Sequence, residues 1–127
     1  MDITLYRTDI QKLIADIQQS RGKDPLVTLE RCDDLEKYGM ENKEDALVGF
    51  AQFTRGETYY LMNDMPNFYH EMLSCMEPLE RIKEWGYLAM ANNMLGIMSL
   101  NRGNAPFAMD YYFKAMHYCQ EYKLPEL

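Results

Sequence analysis

The sequence GNAP at residues 103–106 is the last of three similar tetrapeptides in this chain, after GKDP at 22–25 and NDMP at 63–66. Their prolines, Pro25, Pro66 and Pro106, are therefore 41 and 40 residues apart. In each tetrapeptide, Gly or Asn tolerates the left-handed conformation that ends a helix, Asp or Asn can cap the next helix, and proline fits its first turn. The three tetrapeptides predict tight turns between paired helices in a repeat of about forty residues.

The segments around these turns have apolar residues spaced by three and four, which is the pattern of an amphipathic helix, and none alternates like a half-buried strand. Six helices are predicted, at Ile3–Gln19, Pro25–Tyr38, Glu44–Met62, Pro66–Glu84, Tyr87–Arg102 and Pro106–Lys123. The second is expected to end at Gly39. The fold is therefore predicted to be all-α, a single domain over residues 1–127 with three antiparallel hairpins at about 3–38, 44–84 and 87–123.

Small residues occupy one recurring place in this pattern. Ala15, Gly56 and Gly96 each lie seven residues before the Gly or Asn of a turn. A small side chain there is expected to let the two helices of a hairpin approach closely.

Pro78 falls inside the fourth predicted helix. A proline in a helix interior removes one hydrogen bond and clashes with the preceding turn. The sequence therefore predicts a kink between Ser74 and Pro78, or a break and restart of the helix there.

Charge and composition exclude several classes of partner. The chain has 127 residues and a formal net charge of −7, which argues against nucleic acid and against an anionic membrane surface. The uncharged stretch Tyr87–Leu100 contains Asn92 and Asn93 and is expected to be a buried helix rather than a membrane span.

The cellular compartment follows from the start of the chain and from the cysteines. The first residues, MDITL, lack the basic region and apolar run of a secretory signal. Cys32, Cys75 and Cys119 are odd in number, widely separated and form no CxxC motif. Free thiols in a reduced, cytoplasmic protein are the expected state.

The repeat resembles a tetratricopeptide-repeat (TPR) array, and the resemblance spans almost the whole chain. The last unit matches that family's small and aromatic positions with Leu95, Gly96, Ala108, Tyr112 and Ala115, and the middle unit with Gly56, Phe68, Met72 and Cys75. The period is longer than is usual for that family. Gln120 occupies the position of its usual proline. The resemblance implies a right-handed superhelix of helix hairpins, an α-solenoid.

Long-period repeats rich in aromatic residues and Met are also similar to regulatory regions found ahead of bacterial signalling modules such as diguanylate cyclases. The chain has eleven Met and ten Tyr residues. It contains no Gly-Gly-Asp-Glu-Phe sequence, so that resemblance implies a regulatory role and places any such catalysis outside this chain.

No residue pattern in the sequence indicates catalysis, a cofactor or a metal. His70 and Cys75 are five residues apart and His117 and Cys119 two apart, and neither spacing suits a metal on one helix face. The acidic group at residues 30–36 lacks the Gly and alternating oxygen ligands of a calcium loop and is expected to be a solvated helix face. There is no Gly-rich phosphate loop, so the chain is expected to be non-enzymatic.

The family resemblance implies a concave binding face formed by the first helix of each hairpin. Matched residue by residue, that face holds Phe50, Phe53, Glu57, Tyr60, Met90, Asn93, Ile97 and Asn101. Aromatic and Met side chains suit an apolar peptide or helix, because they bury a large area with few rigid demands.

The last helix carries a second candidate surface. At 100° per residue its apolar arc is too wide for one packing face, and Met109, Phe113 and Met116 form a separate ridge. A solenoid end normally has a polar capping helix, and here the sequence LPEL at 124–127 stops where a seventh helix would begin. We expect the ridge to pack on a missing repeat of a longer chain or on a second copy of this chain.

These observations predict a non-catalytic protein-interaction or regulatory module of a cytoplasmic bacterial signalling protein, which binds an apolar peptide or helix on its concave face. One alternative is a dimerisation domain that positions a downstream catalytic module. Another is an enzyme or small-ligand sensor with a pocket between helices. Its polar candidates would be Asn92, Asn93, His70 and His117.

Overall fold

A computed structural model describes residues 2–123, and within that range the protein is all-α with no strand. A short 3-10 helix at Ile3–Leu5 precedes six α-helices. These are α1 Thr8–Ser20, α2 Pro25–Glu41, α3 Asp45–Leu61, α4 Met65–Arg81, α5 Trp85–Asn101 and α6 Ala105–Glu121. The prediction of six helices and an all-α fold is confirmed, although the first helix starts five residues later than expected. The predicted start of a seventh helix at LPEL lies outside the described residues.

The helices form two compact units. The N-terminal unit ends at Pro78 and the C-terminal unit begins at Leu79. In the N-terminal unit α2 packs against both α1 and α3, and in the C-terminal unit α5 packs against α6. Each unit has its own apolar core, with Ile14, Leu35 and Phe53 buried in the first and Leu88 and Leu95 in the second.

A left-handed residue follows every α-helix at a nearly constant interval. Positive φ angles occur at Gly22, Lys43, Asn63, Lys83, Gly103 and Lys123, and from Lys43 onward they recur every twenty positions. At four of these turns the next N–H donates to a carbonyl five residues back, as Glu44 does to Gly39 over 2.8 Å and Asn104 does to Ser99 over 2.8 Å. Because this hydrogen bond satisfies a helix-end carbonyl, each turn both ends one helix and sets the start of the next.

The helix starts confirm the predicted capping chemistry. The side chains of Asp24, Asp64 and Asn104 accept hydrogen bonds from the N–H groups three residues later, at 3.3, 3.4 and 3.3 Å. Each proline lies in the first turn of the helix that follows, where its missing N–H costs nothing.

The turn interval gives α2–α6 a common register of twenty positions. At three equivalent positions the side chains are all buried except Tyr112, which is partly exposed. In order from α2 to α6, the first position holds Thr28, Val48, Phe68, Leu88 and Ala108. The second position holds Cys32, Gln52, Met72, Asn92 and Tyr112, and the third holds Leu35, Arg55, Cys75, Leu95 and Ala115. The structural repeat is therefore one helix and its turn, or twenty residues. This is half of the period of about forty residues that the prolines predict.

The predicted close approach is confirmed at two of the three small residues. A Cβ built on Gly56 would lie 3.1 Å from Met72 Cε, and one on Gly96 would lie 2.7 Å from Tyr112 Cε1. Ala15 is exposed, because α1 lies outside the common register and buries Ile10, Ile14 and Ile17 instead. The expectation at Ala15 is therefore wrong.

The expectation about the end of α2 is also wrong. Gly39 does not end α2, which continues to Glu41; the left-handed residue at that turn is Lys43. Gly39 is buried because the start of α3 packs against it, and a Cβ there would lie 2.9 Å from Val48 Cγ2. Of the two alternatives predicted at Pro78, the break is wrong, because α4 runs uninterrupted to Arg81; the kink stays a prediction.

We predict that Gly39→Ala lowers the free energy of unfolding by about 1–3 kcal/mol, because the added methyl group would also lie 3.1 Å from the Val48 backbone nitrogen. Gly86→Ala in α5 is the matched control, since nothing lies within 4 Å of its built Cβ. The control should be neutral or stabilising by up to about 1 kcal/mol, as Ala has the higher helix propensity. Urea unfolding of both variants measures the difference, and equal stabilities would contradict the close packing of α2 and α3.

Candidate functional site

The expected concave face does not present its two phenylalanines. Phe53 is 1% exposed and Phe50 is buried as well, because α3 is buried along most of its surface. Glu57 is half-buried and its Oε2 accepts from Arg21 Nη2 at 2.8 Å. Tyr60 is half-buried, with its ring centroid 5.6 Å from that of Phe68. The assignment of Phe50 and Phe53 to an open surface is therefore corrected: both are core residues of the N-terminal unit.

The expected concave residues of the C-terminal unit lie on α5 and are more accessible. Met90, Asn93 and Ile97 are half-buried, and Asn101 is exposed. The neighbouring Asn92 is buried. Its Nδ2 donates to the Leu88 carbonyl at 2.8 Å, which accounts for an amide in the core.

The ridge predicted on the last helix is exposed. We use the name α6 face for Met109, Phe113 and Met116, whose exposed fractions are 49%, 57% and 51%. The opposite side of α6 buries Ala108 and Ala115. Three large apolar side chains on successive turns of one helix form a contiguous exposed patch of the kind that marks an interaction surface.

The common register shows what the α6 face corresponds to elsewhere in the chain. Its three residues are equivalent to Leu29, Asp33 and Glu36 of α2. In the N-terminal unit Asp33 and Glu36 both bind Arg55 of α3, at 2.7 and 2.9 Å. The α6 face therefore occupies the helix positions through which α2 contacts the helix that follows it.

Stacked aromatic rings lie on the side of α6 away from the α6 face. The ring of Trp85, at the start of α5, lies 4.3 Å from that of Tyr122 at an interplanar angle of 11°, and 5.8 Å from that of Tyr118. The Tyr118 hydroxyl donates to Glu80 at 3.4 Å. Burial and the nearby Glu80 carboxylate raise the pKa of Tyr118, so its hydroxyl remains a donor. Tyr118 and Tyr122 lie on the side of α6 away from Met109, Phe113 and Met116. No local pattern in the sequence indicates this aromatic stack.

The strongest electrostatic feature is a buried arginine on α3. Arg55 occupies a core position and donates to Asp33 at 2.7 Å, Glu36 at 2.9 Å and Glu71 at 2.8 Å. Gln52 donates to the other oxygen of Glu36 at 2.8 Å. Burial alone would lower the pKa of Arg55, but hydrogen bonds and charge from Glu71 and Glu36 raise it. This cluster joins α2, α3 and α4 of the N-terminal unit.

The Arg55 cluster corrects the interpretation of the acidic group on α2. Asp33 remains 67% exposed, but the Glu36 side chain is only 20% exposed and both bind Arg55. These carboxylates therefore have a structural partner and are not simply a solvated face. Among residues 2–123 no group of His, Cys, Asp or Glu side chains is arranged to hold a metal ion.

The cysteines are free, as predicted, and two of them are buried. Burial raises the pKa of the Cys32 and Cys75 thiols from 9.0 to about 12. Both are therefore protonated at neutral pH and are poor nucleophiles. Cys119 is partly exposed.

The polar candidates for a ligand pocket are exposed, half-buried or already hydrogen-bonded. His70 and His117 are exposed on their respective helices, and Asn92 is committed to the Leu88 carbonyl. An open depression near the turn between α1 and α2 is lined by side chains of both charges, including Asp16, Lys23 and Arg31. None of the described residues that line it is a histidine or a cysteine.

No family model matches this chain, and no curated protein or solved structure is significantly similar to it. None of the helices among residues 2–123 has the length and apolar character needed to cross a membrane. What this chain does must therefore be inferred from its own geometry.

We predict that Arg55→Leu lowers the free energy of unfolding by about 3–5 kcal/mol, because it leaves the buried Glu71 carboxylate without its cation. Leucine fits the position, since Leu35 and Leu95 occupy its equivalents. The double variant Arg55→Leu/Glu71→Ala removes the buried charge as well and should recover most of the loss. Urea denaturation followed by circular dichroism measures all three proteins. A neutral Arg55→Leu, or a double variant less stable than the single one, would contradict this view of the cluster.

We also predict that one thiol per folded chain, Cys119, reacts with a disulfide reagent, while Cys32 and Cys75 react only after unfolding. Raising the pH from 7 to 9 should leave the two buried thiols unreactive, because their pKa values of about 12 lie well above that range. Thiol titration with and without denaturant, repeated on Cys119→Ser, checks this. Three fast thiols in the native protein would show that the cores of the two units are open to reagents.

Proposed function

We propose that this chain is a non-catalytic protein-interaction module and that the α6 face is its contact surface. The observation that carries the proposal is the exposure of its three large apolar side chains on successive turns of one helix. Other exposed apolar side chains do not recur on successive turns of one helix face: Leu26 and Met40 lie far apart on α2, and Leu73 stands apart on α4. Leu61 and Met62 lie together at the end of α3, and Phe107 lies on another side of α6. Isolated apolar residues are common on protein surfaces, whereas contiguous ones favour a binding role.

The chemistry of the α6 face suits protein contact. Phe and Met are enriched at the centres of protein interfaces, where they bury a large area. Each square ångström of apolar surface removed from water contributes roughly 25 cal/mol. Asp110, His117 and Gln120 are exposed beside the ridge or in line with it and supply a polar rim.

A helix is the best-supported shape for the occupant of the α6 face. The equivalent positions of α2 contact α3, so the local geometry already accommodates a helix there once in this chain. We therefore place the binding of an apolar peptide or helix on α6 rather than on the concave face, because Phe50 and Phe53 are buried.

We further propose a right-handed TPR-like solenoid in a cytoplasmic protein of bacterial signalling. The close contacts at Gly56 and Gly96 support the solenoid, because they match the family's small positions. The signalling role, ahead of a catalytic module such as a diguanylate cyclase, is supported by the resemblance of the repeat alone. In that setting the α6 face would transmit or stabilise contacts for the downstream module.

We predict that a photo-crosslinking phenylalanine analogue at position 113 forms one discrete adduct in the cells that naturally make the protein, and that Met109→Glu abolishes it. The matched control is the same analogue at Leu73, which occupies the equivalent position on α4 and is also exposed. Mass spectrometry identifies the adduct. No adduct at position 113, or equal adducts at both positions, would contradict the proposal.

A further inference from the structure

We infer that the depression between α1 and α2 is a binding site for a free α-amino acid with a neutral polar side chain. The site lies within the N-terminal unit and goes beyond the proposed function, since it does not involve the α6 face. Its volume of about 400 Å³ is within the range of small-molecule sites. The observation that carries the inference is a set of charged side chains that line the depression without forming ion pairs with one another.

A hydrogen bond between α1 and α2 shows which residues of the two helices lie opposite each other. The hydroxyl oxygens of Ser20 and Thr28 are 2.8 Å apart. One helical turn further from the connecting turn, Asp16 of α1 and Arg31 of α2 both line the depression. We call these two residues the inner charges. They lie at about the same level on neighbouring helices, and both are half-buried.

The inner charges have no partner within the part of the chain that the structure describes. Neither the Asp16 carboxylate nor the Arg31 guanidinium takes part in an ion pair or a side-chain hydrogen bond there. Arg31 Nε is enclosed without a hydrogen bond, whereas the two Nη nitrogens are not enclosed. Half-buried charges have lost part of their hydration, so a ligand of opposite charge can bind them favourably.

An α-amino acid carries both complementary charges on one carbon atom. Its carboxylate can accept hydrogen bonds from the two Nη nitrogens of Arg31, which is the bidentate geometry that arginine offers to carboxylates. Its ammonium group can donate to Asp16 on the neighbouring helix. A ligand with only one of these groups would leave the other inner charge unpaired. The inner charges therefore favour a zwitterion over a simple anion or cation.

A second set of opposite charges selects the side chain of the ligand. Lys23 and Asp24, the outer charges, line the depression at the connecting turn, about 10 Å from the inner charges. One oxygen of Asp24 caps α2, which leaves the other for a ligand. A carboxamide both accepts and donates hydrogen bonds, so it matches a lysine beside an aspartate. Glutamine fits best, with its methylene groups along Val27 and its amide towards the outer charges.

Binding is expected to be weak because the depression is open and the outer charges are exposed. A ligand of about ten non-hydrogen atoms in such a site is expected to have a dissociation constant of roughly 1 mM.

The two valines of the chain allow a direct test. Val27 lines the depression, whereas Val48 is buried in α3 and acts as an internal reference. In NMR spectra of the full chain with labelled Val methyl groups, L-glutamine up to about 20 mM should shift the Val27 resonances saturably and leave those of Val48 constant. Glutaramate lacks the α-ammonium group and L-glutaminamide lacks the α-carboxylate. Each should bind at least about tenfold more weakly than L-glutamine.

Two variants test the inner charges. Arg31→Gln and Asp16→Asn should each weaken the binding of L-glutamine at least about tenfold. Lys37→Gln and Asp34→Asn are the matched controls, since both residues are exposed on α2 outside the depression, and they should leave the affinity unchanged. Circular dichroism verifies that every variant is folded.

Three results would each overturn the inference. These are the absence of a saturable Val27 shift, binding of glutaramate or L-glutaminamide as tight as that of L-glutamine, and undiminished binding by folded Asp16→Asn. The Asp16 variant is decisive even where Arg31→Gln does not fold.

Discussion

Each α-helix of this chain ends at a left-handed residue, and the register of the helices follows from that backbone conformation. From Lys43 onward these residues recur every twenty positions, and the hydrogen bond formed just after each turn fixes where the next helix begins. The helices α2–α6 are consequently equal in length. Three positions per helix therefore recur every twenty residues, and nearly all of their side chains are buried. Lysine in this conformation costs about 1–2 kcal/mol, which the packing on either side must offset.

This register explains why Arg55 has three carboxylate partners. It occupies a position that the other helices fill with Leu35, Cys75, Leu95 and Ala115, so its charge is carried into the core. A buried cation is tolerated only where hydrogen bonds and opposite charges replace water, and the carboxylates of α2 and α4 supply them. In α6 the positions equivalent to the two α2 carboxylates hold Phe113 and Met116, which need no charged partner and remain exposed.

The sequence predicted those features that depend on residues with strong local preferences. Gly22, Asn63 and Gly103, with the Asp or Asn after each, identified three turns and their caps. Lys43 and Lys83 end helices in the same way, but lysine has no preference for the left-handed conformation, so the shorter period went undetected. The exposed ridge of α6 was predicted from angular positions within one helix, which needs no knowledge of its neighbours.

Features that depend on contacts between helices could not be predicted in this way. Phe50 and Phe53 were assigned to an open face by family resemblance, whereas α3 is enclosed along most of its surface. The Arg55 cluster and the aromatic stack on α6 join residues far apart in the chain, and no local pattern indicates either.

The exposure of the α6 face is tested most directly by NMR of labelled Met methyl groups in the presence of a soluble paramagnetic reagent. Met109 and Met116 lie on the α6 face, while Met40 and Met62 are exposed in the N-terminal unit and act as internal references. If the α6 face is open to solvent, the resonances of Met109 and Met116 broaden about as strongly as those of Met40 and Met62. Resonances of Met109 and Met116 that broaden far less than these references would contradict the account.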